Sequence, residues 1–281
     1  MTVKLWFFDL IKSLLLSAVF LIPLLCALFY FMKNSGEYWW LYAFLIVAGF
    51  QILLLLIFPV FIAPLFNKFE PLKDQALSEK IFALANKLEF ESSGIYQMDG
   101  SKRSAHANAY FSGFGKSRRI VLFDTLIEKL SSPQILSVLA HEIGHAKKKH
   151  IVKSIGYAMG LLLIAFYVLS LLINYPDFFK AFGINNPSSY SLLILFNIAF
   201  EPIMFFVSPL SSIFSRKNEY EADEYAVNAM GSSKPLEEAL AMLSKSSLSN
   251  LSPHWLYSFF HYSHPTLIER INAMRNIGVQ K

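Results

Sequence analysis

The sequence predicts a mainly helical integral membrane protein, with about four transmembrane helices and a cytosolic α+β part that holds a small three-stranded sheet. Three observations carry this prediction. Of the 281 residues, 54% are hydrophobic and only 16% are charged, whereas a soluble globular chain carries about a quarter charged residues. Four apolar runs are long enough to cross a bilayer, which takes about 20 residues as helix. The basic residues avoid two of the connections: residues 67–153 carry 14 of the 25 Lys and Arg and residues 214–281 carry seven, but loops 33–38 and 174–189 carry only Lys33 and Lys180.

The first apolar run covers residues 14–32 and the second residues 39–61. Neither reads as a secretory signal, because the first core is too long and a second span follows at once. Tyr38, Trp39, Trp40 and Tyr42 form an interfacial aromatic belt at the start of the second run. The third run covers residues 155–173 and the fourth residues 190–213, the latter interrupted by Glu201-Pro202, where a kink or a cavity-lining segment is expected. The positive-inside rule puts residues 67–153 and the C-terminus in the cytoplasm. Lys4 and Lys12 put the N-terminus there too, as an even number of spans requires. Four segments follow: 1–66 with two membrane helices, 67–150 as the first half of a cytosolic domain, 151–213 as a membrane hairpin, and 214–281 as the second half.

The same bias accounts for the net charge of +5 and the pI of about 9.1. Basic residues flank apolar spans and show no aromatic stacking pattern, so nucleic acid is excluded as a partner. The single cysteine, Cys26, rules out an internal disulfide and a Cys-based zinc site. A reducing compartment fits that usage.

Within the cytosolic domain, "DQALSEKIFALANKLEF" has the spacing of an amphipathic helix. "GIYQMDG", "NAYFSGFG" and "RRIVLFDTLI" read as three strands separated by turns. Ser132-Pro133 supplies an N-cap and a first helical residue for the helix that carries His141. The Ser-rich residues 244–252 read as a surface connection.

That helix contains H-E-x-x-H. His141 and His145 are four apart and share one face. Two imidazoles so placed can bind one zinc ion, with Glu142 beside them to act as base. A catalytic zinc needs a third protein ligand. In "SRKNEYEADEYAV", Glu219 and Asp223 also lie four apart, with small Ala222 near them. Glu219 is the candidate third ligand, and Asp223 can accept a hydrogen bond from the far nitrogen of a ligand histidine. Alone, this segment reads as well as a solvated charged face; the H-E-x-x-H upstream favours the site. In "HPTLIERINAMR", Pro265 suits a first helical turn and places His264 at a helix N-terminus, where it can donate to an oxyanion. Arg270 can steer His264 or a substrate carbonyl. In "AHANAYFSGFG", Asn108 and Ala109 can form an exposed strand edge to which an extended peptide adds; an ordinary hairpin strand fits equally. His106, His150, His254 and His261 show no partner pattern.

Five stretches, "FIAPLFNKFEPL", "DGSKRSAHANAYFSGFGKSRRIVLFDTLI", "LAHEIGHAKKKH", "SRKNEYEADEYAV" and "SHPTLIERINAM", together resemble the type I CAAX prenyl endopeptidases. These are integral-membrane zinc metalloproteases of the gluzincin group, and the likeness runs from about residue 6 to 274 in the family's order. The resemblance implies a zincin-like metalloprotease domain with one Zn²⁺ per chain held by His141, His145 and Glu219. It implies that Glu142 is the general base to a zinc-activated water and that Asp223 supports a ligand. It gives His264 to the oxyanion, Arg270 to the support of the site, and Asn108 to the substrate backbone. It also implies seven membrane helices around a water-filled chamber. Four are counted here, so an absent N-terminal portion of about three helices is expected.

The implied partners are membrane lipid and a peptide or protein substrate, a prenylated C-terminus among the candidates. The implied location is a bacterial inner membrane, or the endoplasmic reticulum membrane of a eukaryote, with the zinc domain on the cytoplasmic side. Two other functions share these features: a heat-shock type protease for membrane-protein quality control, and a non-catalytic membrane scaffold that retains a zinc site. A transporter finds support only in Glu201-Pro202.

Overall fold

The structure is a computed structural model that describes residues 1–113, 118–246, 248 and 250–279. In chain order, α1 (Val3–Asn34) and α2 (Trp39–Ile57) lead through a π-helical turn (Phe58–Ile62) into α3 (Ala63–Phe66). Then come β1 (Phe69–Pro71), α4 (Gln75–Lys87), β2 (Gly94–Met98), β3 (Ala109–Ser112), β4 (Arg119–Phe123), α5 (Asp124–Lys129) and α6 (Ser132–Lys147). The rest is helical: α7 (His150–Leu172), α8 (Pro176–Ala181), α9 (Ser189–Met230), α10 (Lys234–Ser246), α11 (Trp255–His261) and α12 (Leu267–Val279). Two compact units divide the chain, one built from residues 58–151 and 208–281, the other from residues 2–57 and 152–207.

The second unit is helical and apolar. Among the described residues, four helical stretches are long and apolar enough to cross a membrane: Val3–Asn34, Gly36–Phe66, His150–Leu172 and Ser189–Met230. The first starts well before the apolar run at residue 14, because Thr2 caps it by accepting a hydrogen bond from the Leu5 N–H at 3.3 Å. The unit's core gathers Leu28 and Met32 of α1, Trp39 and Ala43 of α2, Phe166 and Leu169 of α7, Phe179 of α8 and Leu192 of α9. Many other apolar side chains, Leu14, Val19, Ile22, Ile164 and Ile198 among them, stay on the outside. An aqueous protein would not leave that much apolar surface bare, and hydrocarbon is its natural solvent. At Glu201-Pro202 α9 continues as helix through Met230. Pro202 removes one backbone N–H, a loss that membrane helices tolerate.

The first unit holds the sheet, in the order β1-β2-β4-β3. β2 and β4 run parallel with Ile95 opposite Ile120; β1 pairs antiparallel with β2 and β3 antiparallel with β4, Ala109 opposite Leu122. The sequence predicts three strands, and among the described residues there are four. β1 escapes pattern reading because it is three residues long and ends in Pro71, which suits only an edge. The third predicted strand is also shorter than expected. At Asp124 the chain turns into α5, the Asp124 carboxylate accepting the Ser101 and Thr125 N–H groups at 2.8 Å each. Of the second predicted strand, Ala109–Ser112 is β3, while Phe114 and Gly115 lie outside the described residues. So do two residues of the Ser-rich stretch, whose start, through Ser246, belongs to α10.

One core binds these elements. Leu77, Ile81 and Leu84 of α4 meet Ile95, Ile120 and Leu122 of the sheet, Ile135 and Leu139 of α6, Ala226 of α9, Leu236 of α10 and Met274 of α12. α4 is amphipathic as read, and is capped by Asp74, whose carboxylate accepts the Leu77 N–H at 2.9 Å. α6 starts one residue earlier than predicted. Its cap is Ser131, because Gln134 reaches back and its Oε1 accepts the Ser131 N–H at 2.9 Å.

α6 ends unusually. Lys149, just beyond it, has φ +56°, and α7 starts at the next residue. Left-handed backbone costs a residue with a Cβ roughly 1–2 kcal/mol, and glycine almost nothing. Lys149→Gly should therefore leave the thermal midpoint in detergent unchanged or raised. Lys149→Ile, β-branched at the same φ, should lower it; equal midpoints for the two variants would contradict the account.

Candidate metal centre

Two helices of the first unit build the centre. α6 presents His141 and His145 from successive turns, and α9 presents Glu219 and Asp223 with the same four-residue spacing. Close approach of the helices depends on Gly144. A Cβ there would stand 3.1 Å from Tyr225 Cβ and 3.2 Å from both Cα and O of Ala222. Ala222 is itself fully buried, so small residues meet at the crossing.

His141 Nε2 and His145 Nε2 lie 3.0 Å apart. Glu219 places Oε2 3.6 Å from His141 Nε2 and Oε1 3.4 Å from His145 Nε2. For ligand bonds of about 2.0–2.1 Å, the edge of a tetrahedron is about 3.3 Å. The histidine pair and each histidine's nearest Glu219 oxygen stand close to that value, the two oxygens facing different rings, and one donor atom from each residue can gather around an ion. Two imidazoles and one carboxylate are a donor set that catalytic metal sites use.

The far side of His141 is held firmly. Its Nδ1–H donates to Asp223 Oδ1 at 2.8 Å, and Asp223 is 1% exposed. Arg270 clamps the same carboxylate with two bonds, Nε to Oδ2 at 2.8 Å and Nη2 to Oδ1 at 2.6 Å. Its Nη1 lies 3.3 Å from Glu219 Oε2. Arg270 therefore spans both carboxylates of α9, and its partners are these acids, where the sequence suggests His264 or a substrate carbonyl.

Burial sets the electrostatics. It pushes the Glu142 carboxyl above the ordinary carboxylate range, against the pull of His141 and His145. No hydrogen bond occupies that carboxyl among the described residues. Burial would lower His145, but the hydrogen bond and negative charge of Glu219 outweigh it and raise the imidazole. Glu219 and Asp223 lie on α9 beyond its apolar run at residues 190–213. Burial would raise both; His145, His141 and Arg270 bring Glu219 down to about 2, and Arg270 with His141 keeps Asp223 low.

His264 is exposed, with Nε2 3.6 Å from Glu219 Oε1 and Nδ1 2.9 Å from Ser263 Oγ. The helix after it begins later than the sequence suggests. Thr266 caps α12 in a reciprocal box with Glu269, donating its N–H to Glu269 Oε2 at 2.7 Å and accepting the Glu269 N–H at 3.3 Å. T-x-x-E outweighs Pro265 as a start signal, so His264 precedes the cap by two residues. Arg216 of α9 ties the approach to this segment by donating to the Tyr262 carbonyl at 2.7 Å.

Asn108 and Ala109 stand where edge strand β3 begins. The Asn108 carbonyl accepts the Phe123 N–H at 3.0 Å, and its side chain folds back to accept the Ala109 N–H at 2.8 Å. Thr125 and Lys129 hold the preceding segment by donating to the carbonyls of His106 and Ala105, each at 2.7 Å. A cleft of about 450 Å³ is lined by His106 and Ala107 on that side and by Leu243, Tyr262, His264 and Arg270 on the other. His150, which shows no sequence pattern, is buried against His145.

Comparison with known proteins agrees with this geometry. The sequence model of Peptidase family M48 matches residues 71–278, which include every residue of the centre. The chain belongs to peptidase family M48. M48 is a metallopeptidase family, and a His-His-Glu site is what this member displays. A second model, the CAAX prenyl protease N-terminal region with five membrane helices, matches residues 1–68. With the four apolar helices, this makes the M48 chain an integral membrane protein.

The chain is 34% identical to the CAAX prenyl protease 1 homolog of Mus musculus, over 98% of its own length and 66% of the relative's. It is 38% identical to CAAX prenyl protease 1 of Saccharomyces cerevisiae, over 100% of its length and 65% of the relative's. The crystal structure of S. mikatae Ste24p superposes with a TM-score of 0.90 at 38% identity, covering 97% of this chain and 67% of that one. The M48 chain thus spans just under two thirds of the length of these curated relatives.

Gly144→Ala should push α6 and α9 apart by a few tenths of an ångström, since backbone atoms of Ala222 stand in the way. Overpacking of this kind costs about 1–3 kcal/mol. Affinity of the centre for a divalent metal, measured by chelator competition, should fall while helical circular dichroism is retained; unchanged affinity would contradict the role given to this crossing.

Proposed function

We propose that this chain is a membrane-embedded zinc metalloendopeptidase that hydrolyses peptide bonds, with Glu142 as general base. One observation carries the reading: the donors of His141, His145 and Glu219 converge at the spacing of a tetrahedral zinc site, with Glu142 adjacent to both histidines. Zinc bound there would supply Lewis acidity toward a carbonyl and make water acidic enough to attack near neutral pH.

The protein's own residues supply the rest. The Glu142 carboxyl, which accepts no hydrogen bond among the described residues, takes the proton of the attacking water and passes it to the leaving amine. The exposed His264 donates to the oxyanion that forms on the scissile carbonyl. Asp223, held by Arg270, fixes the His141 tautomer that leaves Nε2 free to bind metal. The extended peptide adds at the β3 edge at Asn108 and Ala109, displacing the Asn108 side chain from the Ala109 N–H, and continues along the cleft beside His264.

As substrate class we assign a protein C-terminus bearing a prenylated CAAX sequence, supported by the names of the relatives. The concentration of Lys and Arg in residues 67–153 supports a cytoplasmic metal domain.

The purified chain in detergent should bind one zinc per molecule and cleave a quenched prenylated CAAX peptide faster than its unprenylated counterpart. Glu142→Gln should keep the zinc and lose turnover by about 10²–10⁴-fold, the usual worth of a general base. A Glu142→Gln variant that still turns over at the wild-type rate would sink the mechanism.

The acid limb follows from two shifts of one sign. Glu142 must be deprotonated to act, and its carboxyl is raised above 4.5; His145 must be neutral to bind metal, and its imidazole is raised above 6.5. Activity should therefore be lost as pH falls through the range above the ordinary carboxylate value. Full activity maintained down to pH 4.5 would contradict it.

A further inference from the structure

We propose that His150 and Glu221 are positioning residues that support the metal ligand His145 through a second imidazole, an inference that rests on the metal-site reading above. His145 turns Nε2 toward His141 and Glu219, so its hydrogen belongs on Nδ1. That Nδ1 is 2.9 Å from His150 Nδ1. A neutral imidazole has one donor and one acceptor. His150 therefore accepts at Nδ1 and carries its own hydrogen on Nε2, which lies 3.1 Å from Glu221 Oε2. With these tautomers the chain of donors runs one way, from ligand to carboxylate. His150 is 3% exposed, which fixes its ring in that orientation.

Two further observations point the same way. His145 and His150 are five apart, a spacing that does not bring side chains together on one uninterrupted helix. The left-handed Lys149 ends α6 between them and lets His150 fold back. Glu221 sits two residues from Glu219 on α9, so the two acids occupy different faces. Glu219 meets the near nitrogen of His145, and the His150 ring carries the far nitrogen round to Glu221. The two ligand histidines are thus held differently: His141 directly by the buried Asp223, His145 through an imidazole by a half-buried acid.

The test is the zinc dissociation constant, measured by chelator competition on the full chain in detergent, together with the melting point of the metal-free protein. Removing a group that orients a ligand costs about 10–100-fold in metal affinity. His150→Ala should weaken zinc binding by that factor while the metal-free melting point moves little. Glu221→Ala should weaken it less, and the double variant should be no weaker than His150→Ala, because the residues act in series. His150→Asn, whose amide oxygen can still accept from His145, should recover part of the loss, as should Glu221→Gln; these milder variants keep the test informative if the alanine forms fail to fold. Wild-type affinity in every variant, with only the metal-free melting point lowered, would overturn the inference and leave the metal site standing. Additive losses in the double variant would overturn it too. Absence of zinc binding in the unmodified chain would overturn the metal-site reading itself.

Discussion

The structure turns on a carboxylate that cannot stand alone. Asp223 is 1% exposed, and an isolated ion buried to that degree costs several kcal/mol. Arg270 and His141 compensate for it, and because they come from α12 and α6 they fix both helices against α9. The compensation requires the backbones to approach closely, which Gly144 and Ala222 allow. The metal donors therefore inherit their spacing from an ion pair behind them. A pair of this kind is weak evidence for stability, but it selects one arrangement from many.

Much of the centre was legible in the sequence because it is written in helical periodicity. His141 with His145, and Glu219 with Asp223, are each four apart, and each pair lies within one helix. The apolar runs were legible for the same reason, since length and composition suffice to mark them. What resisted reading was whatever depends on a break or on a partner distant in sequence. His150 reaches His145 only because Lys149 is left-handed, and a run of three lysines gives no hint of it. Arg270 belongs to Asp223, 47 residues away, a pairing no local pattern encodes. β1 is too short for any period to register. The T-x-x-E signal before α12 was readable, and only the greater prominence of His264-Pro265 hid it.

The charge of the centre also explains its depth. Four acids, Glu142, Glu219, Glu221 and Asp223, gather around one buried guanidinium and the imidazoles of His141, His145 and His150. Such a set favours a divalent cation over solvent, and low surrounding dielectric strengthens that preference. Burial has the opposite effect on Glu142, the acid without a hydrogen-bonding partner, which it holds nearer to neutrality. One environment thus drives two carboxylates of one chemistry in opposite directions, Glu219 down and Glu142 up.

The sheet, finally, is asymmetric at its ends. At β1, Pro71 removes a donor, and Lys68, Glu70 and Lys73 crowd the strand with charge. β3 at the opposite end carries none of these devices along Ala109–Ser112. A sheet edge to which a peptide can add is one to which a second copy can add as well. With one end closed, however, two molecules joining at β3 would exhaust their free edges in a two-fold pair. Strand pairing at this sheet alone would then stop at the pair.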